Sequence, residues 1–237
     1  MHQLSTLAGA ILDPMLRDDP VGPRITYYDD ATGERIELSA ATLANWAAKT
    51  GNLLRDELGA GPESRVAILL PAHWQTAAVL FGVWWIGAEA VLDGPADLAL
   101  CTAERLDEAD ETGAGEVAVL SLDPFGRPAP DVPIGVTDYA TAVRVHADQI
   151  VGERRPGPAL AGRSVDEVLA DCRRSAAARG LTAADRVLSS ASWTRPGDLV
   201  DGLLAILAAG ASLVQVAHPD PAALQRRIET EKVTRVL

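Results

Sequence analysis

Lysine is almost missing from this chain. Lys49 and Lys232 are the only two in 237 residues, so arginine carries nearly all the positive charge. Aromatic residues make up 4%, with five Trp against two Phe, which leaves Ala and Leu to supply most of any core. Cysteine is scarce too. Cys101 and Cys172 are far apart and have no CxxC partner, so neither a zinc site nor a redox motif follows, and buried free thiols in a reducing compartment are expected. His2, His73, His146 and His218 are scattered without metal-ligand spacing, and no G-x-S-x-G elbow is present. Gly113-Ala114-Gly115 and Gly59-Ala60-Gly61 precede strands instead of following them, the wrong topology for a dinucleotide fingerprint. The longest apolar run, residues 77–88, is short of the about 20 residues needed to span a bilayer. The amino-terminal stretch has no basic region ahead of its apolar part, so it reads poorly as a signal peptide, and a soluble cytoplasmic protein is expected. The net charge is −12. Phosphate backbones and anionic lipid surfaces recruit Lys and Arg, so neither nucleic acid nor membrane is expected as a partner.

What is present is a regular alternation. Residues 65–93 read as strand, turn, long apolar helix, Gly-Ala, strand, and residues 186–216 repeat that plan. Each begins Arg-Val, carries a Trp just past its first strand (Trp74, Trp193) and closes its helix with Gly-Ala. Ahead of them, periodicity predicts a helix over 4–16 and a hairpin from 25–28 and 35–38. Ser39 is placed to cap a helix over 40–58. Further strands are expected at 66–70, from 91, and at 98–101, 117–121, 187–191, 212–217 and 234–237. Helices are expected at 73–86, 103–111, 139–146, 165–179, 198–209 and from 221 to about 232. Residues 123–135 and 152–162, rich in Pro and Gly, read as loops. Nine acids between residues 97 and 131 face only Arg105 and Arg127; such a run reads as a solvated face, with a basic partner surface as the functional alternative. Strands alternating with helices define an α/β protein, a wrapped parallel sheet of repeated βαβ units. The chain length suits a single α/β domain over 1–237, with sub-lobes at 1–135 and 136–237.

The ordered sum of three blocks, residues 26–91, 181–216 and 220–237, resembles the adenylate-forming superfamily of acyl-CoA synthetases, peptide-synthetase adenylation domains and luciferases. The likeness covers most of residues 25–93 and 164–237 and implies the fold of the amino-terminal subdomains of acyl-CoA synthetases. In that family a Ser/Thr/Gly-rich loop ending in Pro-Lys-Gly holds the ATP phosphates. Its place here is residues 154–164, with Gly157, Gly162, Arg163 and Ser164 but no Thr and no Lys. Pro156 and Pro158 delete N–H donors, so the loop reads as a poor phosphate cradle and a plain linker, although Arg154, Arg155 and Arg163 retain positive charge. The family's later motifs, for Mg²⁺, for the ribose and for the carboxy-terminal catalytic Lys, belong beyond the position matching Leu237. The resemblance therefore implies a degenerate relative with no catalytic residue, no metal site and no cofactor.

Two spots fall just past the carboxyl ends of strands, where open α/β sheets bind ligands: His73-Trp74, and Trp193 with Thr194 and Arg195. The plain reading of both Trp residues and of His73 is packing, while Arg195 at a helix start suits an anion. The expected role is binding or protein interaction without catalysis, with an acyl or nucleotide-like small molecule, a protein partner or a second copy as the occupant. Two alternatives stay open: a subunit of an ATP-dependent acid-activating ligase completed by another chain, and a structural homodimer.

Overall fold

The structure, a computed structural model, describes residues 5–237. His2 and the start of the expected first helix at Leu4 lie outside the described residues. Two compact units are distinguished. One holds Ala44–Leu70 and Ala78–Val165 together with the residues up to Gly9; the other holds Ala10–Leu43, Pro71–Ala77 and Asp166–Leu237.

The chain begins with α1 (Leu7–Asp18), then the hairpin β1 (Pro23–Asp29) and β2 (Glu34–Ser39). Ser39 caps α2 (Ala40–Asn52) as expected, its Oγ accepting from the Thr42 N–H at 3.1 Å. The helix ends in one wider turn, Leu53–Glu57. β3 (Arg65–Leu69) leads into α3 (Trp74–Trp85), buried almost all round as its unbroken apolar sequence requires. β4 (Glu89–Val91), β5 (Leu98–Cys101), α4 (Leu106–Glu111), β6 (Glu116–Val119), β7 (Thr137–Asp138) and α5 (Tyr139–Ala142) follow. Next come α6 (Val165–Arg179), β8 (Arg186–Ser189), α7 (Pro196–Leu199), a wide turn, α8 (Ala205–Ala208), β9 (Ser212–Ala217), α9 (Pro221–Thr230) and β10 (Arg235–Val236). The first-unit sheet runs β4-β3-β5-β6-β7, all parallel, over a core of small side chains such as Ala67, Ala99, Cys101 and Ala118. The second-unit sheet runs β10-β8-β9-β1-β2; it is parallel except where β1 meets β2.

The two βαβ units close their helices in the same way. Gly87 and Gly210 take positive φ (77° and 76°). The Ala88 N–H reaches the Val83 carbonyl and the Ala211 N–H the Ile206 carbonyl, while each glycine N–H bonds three residues back. These are Schellman caps, available because glycine adopts the left-handed conformation without strain.

The stretch 152–162 is a loop as expected, carrying no helix or strand, but it is packed against the sheet. Ala159 and Leu160 are buried, and Leu160 bridges both Ala90 of β4 and Arg163. The segment lies along the free edge of the first-unit sheet. The apolar Ala159-Leu160-Ala161 set inside the Pro/Gly composition was the sign of it. β7 was also missed, because a two-residue strand leaves no periodicity to detect. No helix among the described residues is long and apolar enough to cross a membrane.

Candidate functional site

The phosphate-loop position, in the first unit, is defined by where its backbone donors go. The Arg154 and Arg155 N–H groups both donate to Glu153 Oε1, at 2.7 and 2.9 Å. The Gly157 N–H donates to the Gly87 carbonyl at 2.9 Å, and the Ala161 N–H to the Ala90 carbonyl at 3.2 Å. Those of Ala159 and Leu160 converge on the Arg163 carbonyl, and Arg163 returns its own to Leu160. The Gly162 N–H donates to Glu89 Oε1. Pro156 and Pro158 have none. Every backbone N–H from 154 to 163 is thus deleted or bound within the chain. The Glu89 carboxylate that takes this N–H is itself buried and lies 3.6 Å from Arg65 Nε. Gly157 also has a packing reason: a Cβ there would fall 2.0 Å from the Pro62 carbonyl oxygen. Ser164 directly precedes α6.

The other candidate residues belong to the second unit. The structure brings His73 and Trp74 together, ring centroids 5.6 Å apart, and adds Tyr27, whose ring meets His73 edge-on at 4.4 Å. His73 Nδ1 accepts from the Gln75 N–H at 3.1 Å, so the remaining ring proton of the neutral imidazole sits on Nε2. Nε2 faces Glu34 Oε1 at 3.8 Å, and Trp74 Nε1 donates to the same oxygen at 3.3 Å. Burial pushes the His73 imidazole below its ordinary value, against the pull of Glu34 and Asp29, so it is neutral at pH 7. Burial first, then Asp29 and Glu34, push the Tyr27 hydroxyl up. Nearby, exposed His218, at φ 47°, places Nδ1 2.9 Å from Asp29 Oδ1.

Trp193 lies buried in the turn after β8. Thr194 is exposed, and its Oγ1 is 3.4 Å from Ser192 Oγ. Arg195 forks onto the Asp198 carboxylate with two contacts of 2.9 Å. Sequence reasoning missed Tyr27, Glu34, Ser189 and Gln215. The one visible signal was Gln215, a lone amide inside the otherwise apolar middle of Ser212–Ala217. Among the described residues no group of His, Cys, Asp and Glu could hold a metal ion. The acidic stretch contributes Glu108 and Glu111, beside Asp93, to a surface depression of about 310 Å³ in the first unit, where Glu108 is already paired with Arg105 at 2.6 Å.

This architecture is found in solved acyl-CoA synthetases. A Brucella canis acyl-CoA synthetase superposes with a TM-score of 0.81 at 19% identity, covering 98% of this chain and 46% of that one. An anthranilate CoA ligase solved with anthranoyl-AMP gives 0.76 at 16% identity, over 100% of this chain and 50% of its own. Acetoacetyl-CoA synthetase from Streptomyces lividans gives 0.76 at 20%, over 98% and 42%. The chain spans about half the length of these enzymes and shares the fold of that part of them. No family model matches the chain. A curated Mycobacterium tuberculosis (strain ATCC 25618 / H37Rv) protein, a TIGR03089 family protein, is 82% identical over 239 residues, covering 98% of each. The chain belongs to the TIGR03089 family.

Proposed function

We propose that this chain uses an acyl-CoA-synthetase frame for binding and not for adenylation: a cytoplasmic pseudoenzyme with a small-molecule or protein partner. The observation that carries this reading is the saturated backbone of residues 154–163, in which the Glu89 carboxylate takes the Gly162 N–H. Phosphoryl chemistry is catalysed by amides, cations and metal aimed at developing charge. A segment whose N–H groups are spent, and which contains no lysine, offers an incoming triphosphate little beyond three arginines. The cytoplasmic assignment is supported by Cys101 and Cys172, both buried and neither in a disulfide, with the Cys101 thiol pushed up to about 11 chiefly by burial. The test is ATP–pyrophosphate exchange with a panel of carboxylic acids. The expected rate equals that of heat-killed protein, and turnover above it refutes the reading.

A second reading is favoured by one fact, that the chain spans about half of each solved neighbour. Here it is a subunit of an acid-activating ligase completed by another chain. Exchange activity appearing only when host proteins captured on the tagged chain are added back would select it. A captured set without an adenylating partner would reject it.

A further inference from the structure

The strands of the second-unit sheet pair in register, so residues opposite one another share a face. On one face Leu188, Val214 and Val216 pack with Tyr28 and Ile228. On the other, Val187, Leu213 and Ile25 stand side by side, an apolar row typical of a buried parallel sheet. Two residues further toward the carboxyl ends, that same face turns polar. Ser189, Gln215 and Tyr27 are aligned across β8, β9 and β1, and they are 0%, 1% and 5% exposed. His73 extends the row by its contact with Tyr27.

Two atoms here lack any hydrogen-bond partner: the acceptor Gln215 Oε1 and the donor Trp193 Nε1, on side chains 1% and 3% exposed. They belong to one local structure, because Gln215 Nε2 donates to the Ala191 carbonyl at 3.1 Å in the turn that carries Trp193. A fold gains nothing from burying such groups unpaired, since each loses its water without replacement. Gly202 packs against the indole edge, where any side chain would crowd it: a Cβ there would stand 3.1 Å from Trp193 Nε1. The electrostatics select what can complete them. The row carries no Lys or Arg, its His73 is neutral, and Glu34 and Asp29 lie close enough to raise the Tyr27 hydroxyl, so an anion is disfavoured.

We propose that the Ser189–Gln215–Tyr27 row with Trp193 is a binding site for an uncharged planar ligand with an amide-type edge, one acceptor for the indole N–H and one donor for Gln215 Oε1. Carboxamides and nucleobases both present this edge. Carboxylates and phosphates do not. The proposal rests on the binding reading above and gives that reading a ligand class.

The test is an ¹⁵N-correlation titration of the full chain. The Trp193 indole signal is identified by its loss in Trp193→Phe, and benzamide, adenosine and benzoate are added separately. Saturable movement with benzamide or adenosine, at least tenfold weaker response to benzoate, and at least tenfold loss of affinity in Gln215→Met are expected. Whichever neutral probe moves the signal separates the carboxamide source from the nucleobase source. Gln215→Met removes an unpaired acceptor while keeping shape, and thermal melting checks that it folds; should it not, the affinity loss is read from Trp193→Phe by calorimetry. A silent Trp193 signal with both neutral probes, an equal response to benzoate, or unchanged affinity in the variant overturns the proposal. Pyrophosphate exchange would sink the non-catalytic reading instead, so the two failures are distinguishable.

Discussion

Glu231 collects side chains from three strands. Tyr28 Oη donates to its Oε1 at 2.5 Å, Arg35 Nη2 to the same oxygen at 3.0 Å, and Arg186 Nη2 to Oε2. The Glu231 side chain is 5% exposed and that of Arg186 14%. Burial pushes this carboxyl up, but the hydrogen bonds from Tyr28, Arg186 and Arg35 outweigh it and hold it below its ordinary value. A depressed carboxylate contributes stability that is complete above the ordinary value near 4.5 and is lost as pH falls through the lower folded one. Glu231→Ala leaves Arg186 with only the longer carboxylate contact, to Glu37 at 3.7 Å, so a loss of about 3 kcal/mol is expected in urea unfolding at pH 7. The gap between the two proteins should narrow below the ordinary glutamate range. A gap independent of pH down to acid unfolding would contradict this account. Nothing in the sequence announced the cluster, because Tyr28, Arg35, Arg186 and Glu231 meet only after β1, β8 and β9 have paired.

At the scale of elements, the reading from periodicity went furthest where one pattern is sustained. The helix expected over 73–86 is α3, Trp74–Trp85, and the strand expected at 212–217 is β9. What periodicity does not encode is how closely two helices pass. Gly82 of α3 lies against α2: an added Cβ would meet Thr50 Cβ at 2.8 Å, the Ala47 carbonyl oxygen at 2.9 Å and the Gly51 nitrogen at 2.9 Å. Two of those neighbours are backbone, which cannot rotate away, so the helices must separate. Gly82→Ala should therefore destabilise by about 1–3 kcal/mol despite the better helix propensity of alanine. The control is Gly197→Ala, where no atom lies within 4 Å of the added Cβ, and little change is expected there. Equal melting temperatures for the two variants would show that the crossing yields more easily than its geometry implies.

For the whole molecule, the alternation of strands and helices made the α/β class legible, but the order of strands was not. β1 and β9 stand side by side, Tyr27 opposite Gln215, from nearly opposite ends of the chain. That pairing assembles the polar row, so the sequence showed Trp193 and the lone glutamine without showing that Tyr27 completes them. Charge, by contrast, is additive and needs no fold to be read. Thirty-three acidic side chains against 21 basic ones give a net −12 and an isoelectric point near 4.7. Binding to a polyanion is driven by release of its counterions, which requires a basic surface to displace them. A chain with this excess of acid should leave the fluorescence anisotropy of a labelled DNA duplex unchanged at low salt, where any such attraction is strongest. Salt-sensitive retention of the duplex would reveal a concentrated basic face and would reopen polyanions as partners.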